Sequence, residues 1–92
     1  MKAKAARYMS RLLDDNRDLI EGERFGDGWT VDVEATAGNL SDVLYGLPDD
    51  DQKRYFGRKF ENPEDAERLL LNELDDFVPL CEDALESERD VD

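Results

Sequence analysis

The sequence predicts an α+β fold: a small antiparallel sheet of two or three strands, packed by an N-terminal helix and a kinked C-terminal helix. Three observations carry that prediction. Apolar residues recur at three- and four-residue steps over 3–21. They alternate strictly with polar ones over Trp29–Thr36. Asn62-Pro63-Glu64-Asp65 has the composition of a helix start, with a capping amide, proline at the first helical position and acids in the first turn. At 92 residues the chain holds one core. A single domain is expected over 1–86, with the polar 87–92 fraying.

In order along the chain, Ala5, Met9, Leu12, Leu13, Asn16, Leu19 and Ile20 form one stripe of the first helix, and Gly22 is placed to stop it. Gly26-Asp27-Gly28 is a turn signal. It introduces a strand with Trp29, Val31, Val33 and Ala35 facing inward. Ala37-Gly38-Asn39 breaks that strand, and a short helix over 40–46 follows, with Asn39 or Ser41 capping. Residues 47–51 read as a loop and 52–60 as a second strand, with Phe56 and Phe60 on one face. Because two strands alone are marginal, a third near Arg24-Phe25 or Val43-Tyr45 is expected. In the C-terminal helix Ala66, Leu69, Leu70, Leu74 and Phe77 are the buried stripe, and Pro79 forces a kink or restart near Phe77-Val78.

Charge is the dominant property. With 25 Asp+Glu against 12 Lys+Arg, the formal net charge is −13. Lys2, Lys4, Arg7 and Arg11 form one basic island, and Lys53, Arg54, Arg58 and Lys59 another. Apart from these, all 25 acids share the chain with only Arg17, Arg24, Arg68 and Arg89. Like charges at this density repel and oppose compaction, which points to a cationic partner surface.

The residue inventory excludes much chemistry. Without histidine the usual general base and the commonest zinc ligand are missing, and no Cys–His nucleophile assembles. Cys81 is expected as a buried structural thiol. Asp14-Asp15-Asn16-Arg17-Asp18 has DDxxD spacing, but a metal-diphosphate site needs two such clusters in a longer chain. Asp49-Asp50-Asp51 lacks the glycine and the distal Glu of a calcium loop. Arg54 to Phe60 interleaves bases with aromatics, as RNA-binding strands do, yet the element order and the negative charge argue against phosphate binding. Gly26-Asp27-Gly28 lacks the rest of a phosphate loop, and Asn39-Leu40-Ser41 has no secretion signal ahead of it. Trp29 is expected in the core, with an interface anchor as its other role. No catalysis, metal, cofactor or membrane segment is expected, and the compartment expected is the cytosol.

Acids at helical spacing lie in rows: Asp14, Asp18 and Glu21 make one, and Glu82, Glu86 and Asp90 another. One i to i+4 step is about 6 Å, so neighbouring rows approach the charge density of a duplex, one charge per about 1.7 Å of axis. By size, charge, absent catalytic residues and stretches such as Asp49-Asp50-Asp51 and Glu82-Asp83, the chain resembles the small acidic anti-CRISPR and anti-restriction inhibitors of phages and mobile elements that act as DNA mimics. It matches no motif of theirs. The resemblance implies an inhibitor in the host cytosol that occupies the basic DNA-binding site of a nuclease or surveillance complex and does not itself contact nucleic acid. Its contact residues would be Asp14, Asp15, Asp18, Glu21, Asp49, Asp50, Asp51, Asp75, Asp76, Glu82, Asp83 and Glu86. Two alternatives are an antitoxin-like or accessory module binding through an apolar groove, and a domain adapted to high salt. A homodimer pairing the basic first helix with the acidic last one is also compatible with the charge layout.

Overall fold

The computed structural model describes residues 2–26 and 28–90, and the side chains of 3–26 and 28–86. Among the described residues the chain has five α-helices and a two-stranded antiparallel sheet, the α+β arrangement expected. Helix α1 (Lys2–Asp15) leads through a 3-10 turn (Arg17–Leu19) to strands β1 (Gly22–Phe25) and β2 (Gly28–Val31). Helices α2 (Val33–Tyr45), α3 (Asp49–Phe56) and α4 (Pro63–Arg68), a π turn (Leu69–Glu73) and α5 (Phe77–Asp90) complete the chain.

Helix α1 ends six residues before the predicted stop at 21. The Asn16 side-chain amide donates to the Leu12 carbonyl (2.9 Å) and the chain tightens into the 3-10 turn. Gly22 instead opens β1, where a side chain would be crowded: a Cβ there would lie 3.1 Å from the Thr30 carbonyl oxygen and 3.6 Å from Leu85 Cδ1. Strand β1 contains the expected Arg24-Phe25 segment and pairs with β2 in the register Glu23–Thr30 and Arg24–Trp29. Gly26 takes φ +60° at the turn, a conformation that suits glycine. Trp29 and Val31 pack against the core from the sheet's inner face.

Two element predictions are corrected. The strand expected over 29–36 stops at Val31, because the Asp32 carboxylate accepts the Ala35 N–H (3.1 Å) and caps α2. Four alternating residues also fit the first turn of a helix. Val33, Ala37, Leu40 and Leu44 follow 4-3-4 spacing, which the presumed break at Gly38 conceals. Residues 49–56, predicted as loop and strand, form α3. Its triple acid occupies the first turn, Lys53 and Arg54 the last, and Gly57 at φ +81° closes it.

The C-terminal helix begins as predicted: Asn62 Oδ1 accepts the Asp65 N–H at 2.8 Å, with Pro63 at the first position. Asn62→Ala is expected to cost about 1 kcal/mol, measured by urea unfolding. The helix then widens, the Leu74 N–H reaching the Leu69 carbonyl (3.0 Å), and restarts at Phe77. Pro79 thus sits in the first turn of α5, where a missing N–H is harmless. Helix α5 is drawn through Asp90, while the fraying expected at 87–92 falls on side chains and terminal residues outside those described.

The core joins Met9 and Leu13 of α1, Leu40 and Leu44 of α2, Phe56, Phe60, Leu70, and Phe77 and Cys81 of α5, all buried. Helices α1 and α5 run parallel. Near their starts, Ala5 and Leu74 line one cavity. Toward their ends, Arg17 Nε donates to the Ala84 carbonyl (3.0 Å).

Candidate acidic interface

Parallel packing puts the acidic ends of α1 and α5 at the same end of the molecule. Asp14, Asp15 and Asp18 lie exposed beside the level of α5 that carries half-buried Glu82 and exposed Asp83 and Glu86. The last turn of α1 itself has no base beside its carboxylates, and Arg17 of the following turn supplies a cation between α1 and α5 at this end. These acids sit at the negative end of the helix dipole, where they weaken the fold.

The β-hairpin extends this end. Its inner face lies on α5, with Gly22 against Leu85. Its outer face presents Glu23, Phe25 and Thr30 to solvent. Glu21, Glu23 and Asp32 converge with Phe25 and Thr30 around a groove of about 500 Å³. Phe25 is 62% exposed, the most exposed large apolar side chain described. Glu21 is anchored from two sides. Its backbone N–H donates to Thr36 Oγ1 (2.9 Å), and the Asn39 amide reaches its carboxylate (3.4 Å). Three carboxylates around an exposed ring suit an arginine, whose guanidinium pairs with acids and stacks on aromatic faces.

Of the twelve candidate acids, Asp14, Asp15, Asp18, Glu21, Glu82, Asp83 and Glu86 lie on the segments that meet at this end. The other five do not. Asp49, Asp50 and Asp51 form the first turn of α3, with Asp49 paired to Lys59 (3.3 Å) and Asp51 near Arg54 (3.9 Å). Asp75 and Asp76 lie ahead of α5, at the level of Ala5. Glu23, Asp32 and Phe25 are the groove residues that the sequence reading missed. The alternation over 29–36 places Asp32 on a continuous strand face, and Glu23 and Phe25 stand alone in a short segment without period.

A separate network pins the loop after α3. Arg58 is bidentate to Glu73 (3.1 and 3.0 Å) and reaches Asp65 (3.1 Å). Hydrogen bonding to Glu73 holds the Arg58 guanidinium protonated beyond its ordinary range, against a smaller effect of burial. Burial works to raise the Asp65 carboxyl, but the Glu61 N–H and the Arg58 charge outweigh it and hold Asp65 below its usual value. A depressed folded-state value adds stability that is present above the unfolded pKa and lost as pH falls through the folded one. Asp65→Asn should therefore lower the melting temperature at pH 7 and match the wild type near pH 2.

Cys81 is fully buried, and that burial, with a smaller effect of Glu82, pushes its thiol up to about 12. It is expected to resist a disulfide-exchange reagent at pH 8 until denaturant unfolds the chain. Among the described residues no three His, Cys, Asp or Glu side chains are placed to hold a metal ion, and no helix is long and apolar enough to cross a membrane. A scan against protein-family models finds no match, and searches of curated proteins and of solved structures find no significant similarity.

Proposed function

We propose that this chain is a non-enzymatic acidic inhibitor whose negative end occupies the basic nucleic-acid-binding surface of a partner protein, as a DNA mimic does. The observation that carries the reading is the collection of carboxylates from four elements at one end: Asp14, Asp15 and Asp18 from α1 and its following turn, Glu21 and Glu23 from the hairpin, Asp32 ahead of α2, and Glu82, Asp83 and Glu86 from α5. Repulsion between like charges and, at the end of α1, the helix dipole disfavour this grouping, so it contributes nothing evident to folding. Complementary charge would steer encounter with an Arg/Lys channel, and exposed Phe25 would supply an apolar anchor at its centre.

Capture of host-lysate proteins at low salt, followed by elution with duplex DNA, tests this. The expected result is a basic nucleic-acid-binding protein released both by DNA and by rising salt. A captured partner that holds DNA and this chain together, without competition, would refute mimicry.

A further inference from the structure

The other half of α1 carries the opposite charge. Lys4, Arg7 and Arg11 follow one another at close to one helical turn, about 5.4 Å, and Arg54 faces them from α3. Between the two helices Tyr8 and Tyr55 stack, ring centroids 4.5 Å apart and planes 20° from parallel, and Phe56 meets Tyr8 edge-on at 5.7 Å. Lys4, Arg7, Tyr8, Arg11, Arg54 and Tyr55 line an open cleft of about 320 Å³. Burial raises the Tyr8 hydroxyl above its ordinary range, and Tyr55 and Asp51 add to it, so the phenol stays protonated.

Tyr55 also lines a second cavity, of about 460 Å³, bounded by Ala5, Phe56, Leu69 and Leu74 with Arg58, Asn72, Glu73 and Asp75 at its polar side. Tyr55 therefore lines both a cationic cleft and a largely apolar pocket. Nearby bases are mostly occupied: Lys59 by Asp49, and Arg58 by Glu73 and Asp65. Among the described residues, Lys4, Arg7 and Arg11 form no ion pair. Arg7 Nε reaches the Ala3 carbonyl of its own helix (3.4 Å).

We propose that cleft and pocket together bind single-stranded nucleic acid, with backbone phosphates on Lys4, Arg7, Arg11 and Arg54 and one base in the pocket against Tyr55. A cationic track beside an aromatic platform is the chemistry such strands require. A lipid surface would use the charges but not a recessed ring. Asn72 at the pocket's polar side offers an acceptor to an exocyclic amine, which cytosine presents. The net charge of −13 argues against phosphate contact only when averaged over the molecule. Lys4 and Asp15 are about 16 Å apart along α1, roughly twice the ~8 Å Debye length at physiological salt. The nearer acids are Asp14 and Asp15, about one turn from Arg11, and Asp51, at 3.9 Å from exposed Arg54. This inference stands independently of the inhibitor reading, because the two use different ends of the chain.

Fluorescence anisotropy with a labelled twelve-nucleotide oligodeoxycytidine tests it. The wild type is expected to bind at about 20 mM salt, with a slope of log affinity against log salt near −2 to −3, the value for three or four phosphates. Arg7→Glu/Arg11→Glu, two exposed or half-exposed positions checked for folding by circular dichroism, should weaken binding at least tenfold. Asp83→Asn/Glu86→Gln at the far end should leave it within twofold. An abasic strand of equal length should bind at least fivefold more weakly, the loss of one stacked base. The proposal is overturned by no wild-type binding, by an unaffected Arg7→Glu/Arg11→Glu variant, or by equal affinity for the abasic strand. Binding to anionic phosphatidylserine vesicles but not to the oligonucleotide would assign the cleft to a membrane surface instead. Dimerisation of the chain alone at low salt, abolished by Arg7→Glu/Arg11→Glu, would assign it to a second copy's carboxylates.

Discussion

Gln52→Leu is expected to destabilise the protein by roughly 3 kcal/mol and to lower its melting temperature by about 15 °C. Gln52 is 2% exposed, and its amide joins four backbone groups. Nε2 donates to the carbonyls of Leu44 (3.3 Å), Tyr45 (3.1 Å) and Leu47 (3.0 Å), where α2 ends and the chain turns. Oε1 accepts the Phe60 N–H at 2.8 Å. Leucine fills the volume but leaves that buried N–H and part of the carbonyl set unpaired, and a buried orphan group costs about 1–3 kcal/mol. Loss of the tie also frees Phe60, which is 1% exposed and packs on Phe56.

Gln52→Glu separates hydrogen bonding from shape. The carboxylate keeps the Phe60 acceptor but turns a negative charge toward three carbonyls in a buried site. Its folded pKa must lie above its unfolded value. The folded state then binds more protons than the unfolded one, so stability falls as pH rises. This variant should be least stable near pH 8 and should recover toward pH 4, while Gln52→Leu stays uniformly weak. Thermal melts at the two pH values distinguish them, and a Gln52→Leu melt within a few degrees of the wild type would remove Gln52 from the fold's key contacts.

Neutralising the α1 end is expected to move stability and function in opposite directions. Asp14→Asn/Asp15→Asn/Asp18→Asn removes carboxylates from the wrong end of a helix dipole and from the neighbourhood of the α5 acids. At about 0.3–1 kcal/mol per charge near the terminus, the triple variant should gain roughly 1–2 kcal/mol. If the acidic end engages a basic channel, the same variant should lose at least a hundredfold in apparent affinity for the captured partner at about 0.1 M salt, because three steering and contact charges are gone. A variant that is more stable and still binds normally would reduce these acids to solubilising groups. One that is less stable would reveal a folding role for them that the geometry does not suggest.

Legibility from sequence followed the kind of physics involved. The α1 stripe was readable because Ala5, Met9 and Leu13 repeat at four-residue steps, and the α4 start was readable because Asn62 and Pro63 act on their own backbone. The inward strand positions Trp29 and Val31 and the buried thiol of Cys81 were also readable. Helix α3 was not. Its only buried side chains are Gln52 and Phe56, so one of its two inward positions is polar and its apolar period disappears. Helix α2 was half hidden, because a cap at Asp32 depends on where the preceding hairpin delivers the chain.

The amino-acid order alone determined the acidity, the basic islands, the absence of histidine chemistry and the class of fold, since these are sums or local periods. Tertiary structure decided which charges are neighbours. That α1 and α5 lie side by side, with Asp14, Asp15 and Asp18 toward the same end as Glu82, Asp83 and Glu86, is set by how the intervening elements return the chain to α1, as the contact of Arg17 with the Ala84 carbonyl shows. Charge proximity falls off within a Debye length and depends on distances in space, so no pattern along the chain specifies an acidic end or a cationic cleft until packing brings the helices together.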